Sequence, residues 1–343
     1  MTKGRENLIK AIEFTGPEYL PCGIGMDLDF IHDKDAAKTE KIRELISRLP
    51  HDVLGGIDCF KNREHAFVDG VERITDEWGT KWLNDGHGSI TTYHPLEQGY
   101  PAGGEFIFPD VDMPGRFDEA REYLADRGSR YVCVSVWFTL FERLWMLRGF
   151  NNALMDVYID TENLLKLKGQ ILDVNLRMID KFLELGVDAI FFSDDWGSQR
   201  GLLMNPDDWR RYFKPDYIAM FRRVRDAGAH VWFHSCGDVS SIIGDLLEAG
   251  MNVLHPVQPQ AMDVEALSRK FGGRLCFNGG VDVQGTMVKG TPQDVKNEVY
   301  KLYNLFGRFC GGYICGTSHS IMPETPLENV IALLEAYFDV ANL

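Results

Sequence analysis

The sequence predicts an α/β protein in which residues 1–343 form one (β/α)8 barrel, with a β-hairpin inserted in the N-terminal part. Three observations support this fold class. Short apolar runs alternate with helical patterns, about eight such runs occur, and polar residues follow many of them directly. Parallel strands covered by helices are buried on both faces, so they appear as continuous apolar runs. Eight strand–helix units are the number that closes a barrel.

The strand candidates occur in two groups along the chain. Two come early, in "LPCGIGM" and "HDVLGGI", and six follow residue 130: "RYVCVSVWF", "VDAIFFSDD", "AHVWFHSCG", "MNVLHPVQ", "RLCFNGGVD" and "GGYICGTSH". Helical patterns separate them, with apolar residues at steps of three and four positions. Gly186, Gly228 and Gly250 stand just after three of these helices, as C-terminal glycines should. A doubly wound sheet is disfavoured because no GxGxxG follows a strand and the polar residues do not collect at one switch point.

The segment from Thr75 to Tyr93 has a different pattern. Apolar and polar residues alternate there, and Asp85-Gly86 is a common hairpin turn sequence. This segment predicts a β-hairpin that lies as a flap over one face of the barrel.

Composition limits the classes of function. The formal net charge of −15 disfavours nucleic acid and anionic membranes as partners. No window holds the 18 or so consecutive apolar residues of a membrane span, and the N-terminus "MTKGRENLIKAIEF" lacks the apolar run of a signal peptide. The seven cysteines form no tight repeat, which is typical of reduced thiols in a cytoplasmic enzyme.

Polar side chains follow the strand candidates, and in a barrel the C-terminal strand ends carry the chemistry. The residues at these ends are Ser193-Asp194-Asp195, His234-Ser235-Cys236, Gln258, Asp282 with Gln284, and Cys315 through His319. Because each group follows an apolar run, we expect all of them to converge on one mouth that binds a small-molecule substrate.

His234 and Cys236 are candidate zinc ligands. They are two residues apart in extended backbone, so their side chains point the same way. Imidazole and thiolate both bind zinc well, but a zinc site needs three or four ligands. The last strand offers Cys315 and His319 as the third. The alternative is that His234 ends a strand and Cys236 is a small buried apolar residue.

The other strand-end residues have candidate roles in binding and catalysis. Adjacent strand residues face opposite sides, so only one of Asp194 and Asp195 enters the mouth, and we assign Asp195 as the catalytic or anchoring acid. A helix N-cap is the alternative role for this pair. Candidate substrate-binding residues are Asp282, Gln258, Gln284 and Arg143, the last lying in an aromatic segment, "SVWFTLFERLWMLRGF". The alternatives are that Asp282 caps a tight turn after Gly279-Gly280 and that the aromatic segment belongs to the core. His255, His94 and Met251 are expected to be structural.

At these residues the sequence resembles the uroporphyrinogen decarboxylase superfamily, which includes zinc-dependent methyltransferases that act with corrinoid proteins. The resemblance covers nearly the whole chain. Its motifs are "FERLWMLRGF", "FFSDDWGSQRGLLMNPDDWRRYFKPDY", "HSCGDVSSIIGDLLEAGMNVLHPVQ", "FNGGVDVQGTM" and "HSIMPETPLENV". It implies the barrel fold of the superfamily and a homodimer.

The resemblance also implies site residues. The methyltransferases use an HxC motif and a downstream cysteine as zinc ligands, which His234 and Cys236 match at the first two positions. The downstream cysteine falls where this chain has His319, with Cys315 a short step earlier, so the third ligand is open. The decarboxylases have a histidine before a "PETP"-like segment, which His319 also matches. They also have an arginine-rich N-terminal motif, but "YLPCGIGMDLDFIHDK" contains no arginine and several acids.

Three functional hypotheses follow. The leading one is a zinc methyltransferase that moves a methyl group between a corrinoid carried by a partner protein and a thiol or folate-type acceptor. The second is a metal-free decarboxylase or lyase of a small cyclic or tetrapyrrole substrate, in which Asp195 or an acid near Asp27 and Asp29 stabilises positive charge and His319 orients the substrate. The third is a catalytically silent barrel that docks a corrinoid protein.

Overall fold

The computed structural model of the protein describes residues 4–23, 35–84, 89–101 and 106–341. The strands are β1 (Val53–Ile57), β2 (Asn62–Val68), β3 (Val71–Asp76), β4 (Lys81–Asn84), β5 (Ser89–Tyr93), β6 (Tyr131–Val136), β7 (Ala189–Ser193), β8 (Gly197–Ser198), β9 (Gly201–Leu202), β10 (His230–His234), β11 (Val253–His255), β12 (Cys276–Asn278) and β13 (Tyr313–Ile314). The helices are α1 (Gly4–Ile12), α2 (Ala36–Ser47), α3 (Asp118–Ala125), α4 (Phe141–Arg148), α5 (Phe150–Ile159), α6 (Thr161–Glu184), α7 (Pro206–Tyr212), α8 (Lys214–Asp226), α9 (Ile243–Ala249), α10 (Val264–Phe271), α11 (Thr286–Lys289), α12 (Pro292–Phe306) and α13 (Leu327–Ala341). None of these helices is both long and apolar enough to cross a bilayer.

One curled parallel sheet forms the centre of the molecule. Its strands pair in the order β1-β6-β7-β10-β11-β12-β13. The backbone around Cys22 extends this sheet at β13, because Gly23 N donates to Cys315 O (2.7 Å) and Cys315 N donates to Pro21 O (2.9 Å). All eight strand candidates therefore contribute to one sheet, and the barrel prediction is confirmed.

Side chains along these strands alternate between two cores. On β10, Trp232 packs in the barrel interior, whereas Val231 and Phe233 join the outer core under the helices. The strand period of two places His234 on the same side as Trp232, at the C-terminal mouth. At the opposite end, Leu8 and Ile12 of α1 pack into the barrel interior.

The inserted segment is larger than the predicted hairpin. β4 and β5 pair antiparallel as predicted for Thr75–Tyr93, but β2 and β3 extend the element to a four-stranded sheet. The Asp85-Gly86 turn lies outside the described residues. Every side chain of β2 is exposed, so its sequence carries no alternation of buried and exposed residues that would predict a strand. The sheet covers the C-terminal end of β6, where Trp82 of β4 stacks on Phe138 with ring centroids 5.3 Å apart.

A buried histidine at the N-terminal end of the barrel makes stability depend on pH. The His230 ring contacts the Tyr131 hydroxyl through Nδ1 (2.8 Å) and Glu13 through Nε2 (3.1 Å), and a neutral ring satisfies both contacts when Nδ1 accepts and Nε2 donates. Burial lowers the pKa of His230, although Glu13 opposes the shift. A base whose pKa is lowered by folding is protonated preferentially in the unfolded chain, so stability falls as the pH drops below its ordinary pKa.

We therefore expect the free energy of unfolding to decrease between pH 7 and pH 5, and to decrease less steeply in His230→Gln. One group contributes at most about 1.4 kcal/mol per pH unit. Urea denaturation at several pH values measures the slope, with His51→Gln at an exposed position as the control. Equal slopes in His230→Gln and the wild type would contradict this assignment.

Candidate functional site

Three side chains at the mouth of the barrel lie together as a candidate metal centre. They are His234, Cys236 and Asp195, called here the His–Cys–Asp cluster, and their ligand atoms all lie within 4.8 Å of one another. His234 Nε2 is 3.5 Å from Cys236 Sγ and 3.5 Å from Asp195 Oδ1. Bonds of about 2.0–2.3 Å in a tetrahedral zinc site separate neighbouring ligand atoms by about 3.3–3.8 Å. The imidazole, thiol and carboxylate of the cluster therefore fit zinc in both spacing and chemistry.

The alternation of strand side chains separates the two adjacent acids after β7. Asp194 is fully buried on the outer side, where its carboxylate accepts from the backbone N–H groups of Leu140, Phe141 and Glu142 at the start of α4 (3.0, 3.0 and 2.7 Å). Tyr217 also donates to it. Burial raises the pKa of Asp194 to about 6, against these donors. Asp194 thus anchors a helix, and Asp195 is the acid that enters the mouth.

Two glycines allow the loops after β7 and β10 to cross in contact. A Cβ on Gly237 would overlap the backbone of Gly197, and a Cβ on Gly197 would overlap the backbone of Cys236. Gly237 also has a positive φ of 78°, which L-residues seldom adopt. The crossing lets Asp195 Oδ1 accept from Cys236 N (2.8 Å), so Asp195 holds the backbone of the residue it faces.

His255 contacts the cluster, although the sequence led us to expect a structural role for it. His255 Nδ1 is 2.8 Å from His234 Nδ1, and only one of these nitrogens can carry the shared hydrogen. When His234 Nδ1 donates, its Nε2 lone pair is free towards Cys236 and Asp195. Such an outer partner fixes the tautomer and the orientation of a metal-binding histidine. The position of His255 at the end of a strand, β11, was the sequence signal that could have identified this histidine as part of the site.

Glu142 is a second residue that sequence reasoning missed. It lies in the first turn of α4, is 6% exposed, and accepts from Ser193 Oγ (3.1 Å). Burial raises the pKa of Glu142 well above its ordinary value, and the charges of Asp195 and Asp194 raise it further. The signal for it was an acid next to Arg143 in an otherwise apolar and aromatic segment.

Electrostatics at the cluster favour a bound cation. Burial raises the pKa of the Cys236 thiol to about 12, with further contributions from Asp195 and Glu142. Burial lowers the pKa of His234, partly offset by Asp195, and lowers that of His255 well below its ordinary value. The imidazoles are therefore neutral and face two acidic groups, so a divalent cation would relieve the repulsion between the acids.

The two candidates for a further metal ligand, Cys315 and His319, lie in different places. Cys315 belongs to the outer core under the helices, because the adjacent Ile314 occupies the barrel interior. The structure therefore does not bring Cys315 to the cluster, which corrects its assignment as a candidate ligand. His319 is exposed at the rim and lies close enough for its charge to lower the pKa of both His234 and His255.

Three predicted substrate-binding residues lie on neighbouring loops. The carboxylate of Asp282 accepts from the backbone of Gln284, Gly285 and Thr286 and from the side chain of Gln260, so it caps α11 instead of entering the mouth. Gln258 accepts from Gly237 N (2.6 Å), which uses its carbonyl oxygen to hold the loop of the cluster. The Gln284 side chain is exposed. Asp27 and Asp29 lie outside the described residues.

Arg143 lies in a separate part of the mouth. It is buried, and its Nη1 donates to Asp76 (2.8 Å) on the inserted sheet. It lines a cavity between that sheet and the strand ends, apart from the His–Cys–Asp cluster.

Comparison with known proteins relates this fold to one family. Residues 135–339 match the family described as uroporphyrinogen decarboxylase (URO-D). A uroporphyrinogen decarboxylase from Chlorobaculum parvum is 25% identical over 191 residues, 55% of this chain and 52% of that protein. One from Thermus thermophilus is 29% identical over 181 residues, 51% of this chain and 48% of that protein. The matches thus span about half the length of these curated relatives.

Among solved structures, a methyltransferase from Methanosarcina mazei has the same fold across the whole length. The TM-score is 0.70, with 18% sequence identity, and the match covers 99% of each chain. At this identity the likeness concerns the fold.

The loop crossing gives a direct test of the site geometry. Gly237→Ala adds a Cβ that overlaps the backbone of Gly197 and adopts an unfavourable φ, so we expect a loss of more than about 2 kcal/mol in the free energy of unfolding. Gly244→Ala in α9 is the matched control, because its added Cβ has open space and alanine favours a helix. Chemical denaturation of both variants measures the difference. A Gly237→Ala variant as stable as Gly244→Ala would show that the loops do not cross as described.

Proposed function

We propose that this chain, which belongs to the uroporphyrinogen decarboxylase family, is a zinc-dependent methyltransferase. It moves a methyl group between a corrinoid carried by a partner protein and a thiol or folate-type acceptor. The observation that carries the proposal is the His–Cys–Asp cluster, because its nitrogen, sulfur and oxygen donors lie at zinc-like separations at the C-terminal ends of the strands. The name of the Methanosarcina mazei protein, a methyltransferase, agrees with this proposal.

Each residue near the cluster has a defined role in this proposal. His234, Cys236 and Asp195 would hold the metal through one nitrogen, one sulfur and one oxygen atom. Zinc, when bound there, lowers the pKa of a coordinated thiol towards neutrality and so supplies a nucleophile. His255 orients the His234 ring through the contact between the two Nδ1 atoms. Burial and the charge of Asp195 raise the pKa of Glu142, so a cation bound beside it would favour its ionised form and gain a further negative charge nearby.

The reaction balances with the groups available. The acceptor thiol gives up its proton to His319, the exposed imidazole at the rim. The sulfur then forms a bond to the methyl carbon while the carbon–cobalt bond of the methylcorrinoid breaks. The bonding electron pair leaves with cobalt, so the products are a methyl thioether and the cob(I) form of the corrinoid. His319 is proposed because it is accessible to both the mouth and solvent.

A decarboxylase is the second candidate, favoured by the names of the curated relatives, which are uroporphyrinogen decarboxylases. Uroporphyrinogen carries eight carboxylates, and a site for it needs cationic partners. The segment of residues 19–34 contains no arginine and three aspartates, so it would place like charges together. Incubation with uroporphyrinogen III should therefore give no coproporphyrinogen, and turnover of this substrate would favour the second candidate.

The metal content of the purified protein tests the proposal directly. We expect about one zinc per chain after anaerobic purification and none in Cys236→Ala, measured by plasma mass spectrometry. Cys315→Ala is the matched control, because it removes a buried cysteine from the outer core and leaves the cluster intact. Zinc retained in Cys236→Ala, or lost in Cys315→Ala, would contradict the ligand assignment.

A second pair of variants separates metal binding from proton transfer. Asp195→Ala should raise the zinc dissociation constant by at least about a hundredfold, because loss of an outer partner alone costs about 10- to 100-fold. His319→Asn should keep its zinc but lower kcat by about a hundredfold for methyl transfer from methylcobalamin to 2-mercaptoethanol. The reverse result, in which His319→Asn loses zinc and Asp195→Ala retains it, would make His319 the third ligand. A zinc-loaded wild type with no methyl transfer would exclude the reaction with this pair of substrates.

A further inference from the structure

A cavity of about 430 Å³ lies between the inserted antiparallel sheet and the C-terminal ends of β1 and β6. This volume is within the range of small-molecule sites. Its lining is unusually aromatic, with three tryptophans and two phenylalanines contributed by both the sheet and the barrel. The aromatic residues are Phe60, Trp78, Trp82, Trp137 and Phe138. We call this space the aromatic cavity.

The walls of the aromatic cavity are flat and fixed in orientation. Trp82 stacks on Phe138 with an interplanar angle of 21°. Phe138 has a positive φ of 56°, a conformation that is unfavourable for a bulky residue, and this places its ring against the sheet. The Arg143 guanidinium lies 4.8 Å from the Trp78 ring centroid and 5.3 Å from that of Phe138. Planar groups thus surround the space on the barrel side and on the sheet side.

The charged groups of the aromatic cavity are largely neutralised by one another. Arg143 is paired with Asp76 at 2.8 Å, and Glu77 is paired with Arg116, which lies outside the lining, at 2.7 Å. Burial raises the pKa of Asp58, and the positive charge of Lys61, which also lines the cavity, opposes this shift. A guanidinium has five N–H donors, so the pair with Asp76 leaves donors for a further acceptor. The cavity therefore suits a flat ligand without a large net charge, with polar atoms at its edge.

The aromatic cavity adjoins the His–Cys–Asp cluster through a single side chain. Trp137 of the cavity wall packs on Phe191 of β7 with centroids 5.5 Å apart. The Phe191 ring lies 5.9 Å from the His234 ring and 5.4 Å from the His255 ring. A ligand in the cavity is therefore separated from the histidine pair by one aromatic layer, on the same face of the barrel.

We propose that the aromatic cavity binds a planar aromatic or heteroaromatic ring that exchanges a methyl group with the corrinoid. A methoxylated ring gives its methyl group to the cob(I) corrinoid as the carbon–oxygen bond breaks, and the ring leaves as a phenolate. A pterin nitrogen takes the methyl group from the methylcorrinoid, loses its proton to solvent, and leaves the corrinoid in the cob(I) form. The assignment of that reacting group rests on the proposed methyltransferase function, whereas binding of the ring rests on the cavity alone. Two sources share this chemistry: a methoxylated arene and the pterin of a folate. The ring stacks on the face of Trp82 that is turned away from Phe138, and Arg143 donates to an acceptor atom at the edge of the ring.

Isothermal titration calorimetry with three probes tests this binding. They are 2-methoxyphenol for the arene, tetrahydrofolate for the pterin, and 2-methoxycyclohexanol, which has the substituents of the first probe on a saturated ring. We expect at least one ring probe to bind, and the arene, if it is the source, to bind at least about tenfold more tightly than the saturated compound. Failure of both ring probes at millimolar concentration, or measurable binding of 2-methoxyphenol and the saturated compound with equal affinity, would overturn the proposal.

Variants locate the binding in the cavity. Trp82→Leu should weaken binding of the ring by roughly tenfold through loss of stacking. Arg143→Lys should weaken it by about threefold or more, because lysine keeps the charge next to Asp76 but lacks the planar fork. Phe67→Leu is the control, since this residue is 71% exposed on β2 of the same sheet and does not line the cavity. Thermal unfolding of each variant checks folding, and unchanged affinity in both folded cavity variants would overturn the proposal.

The same titration in Cys236→Ala separates this inference from the proposed function. Cys236 does not line the aromatic cavity, so ring binding should persist there within about twofold even though zinc is lost. If the wild type binds the ring but neither contains zinc nor transfers a methyl group, the cavity site is supported and the proposed reaction is contradicted. If the wild type transfers a methyl group to a thiol in a zinc-dependent way but binds no ring, the proposed reaction is supported and the cavity site is contradicted.

Discussion

Ser193, His234 and His255 lie side by side in the parallel ladder of β7, β10 and β11, and the candidate site depends on this register. Each strand ends at its polar residue, so the three side chains reach the mouth at the same height. A shift of one residue would turn each of them to the opposite face of the sheet. The apolar residues below them hold this register, since Phe191, Trp232 and Val253 all pack in the barrel interior.

The loops beyond the strands are held by backbone contacts that leave little room for side chains. Asp194 fixes the start of α4 next to β7, and Asp195 holds the backbone of Cys236 next to β10. The contact between Gly197 and Gly237 closes the space between these two loops. These contacts fix the positions of three polar side chains at the C-terminal edge of the sheet: the acid Asp195, the thiol of Cys236 and the imidazole of His234.

Burial shifts the pKa values of the ionisable groups in this arrangement. Burial raises the pKa values of Glu142 and the Cys236 thiol and lowers that of His255, so folding favours the uncharged form of each group. Strongly perturbed groups of this kind gather at functional sites. The inserted sheet adds a second environment, the aromatic cavity, beside the His–Cys–Asp cluster. Phe191 lies between the two, because its ring contacts Trp137 of the cavity on one side and His234 on the other.

The sequence by itself determined the barrel, because each buried parallel strand is a continuous apolar run and each is followed by polar residues. It also determined that His234 and Cys236 share one side and that only one of Asp194 and Asp195 enters the mouth, since a strand has a period of two. Tertiary structure alone decided what these residues meet. Cys315 faces the helices, and the Asp282 carboxylate accepts from the backbone at the start of α11. His255 approaches the cluster from β11, and Glu142 approaches it from α4. Periodicity reports which residues share a face within one element, whereas register and loop direction depend on contacts with residues distant in the chain. The exposed strand β2 was hidden for a related reason: backbone pairing with β3 forms it, and no buried face marks its sequence.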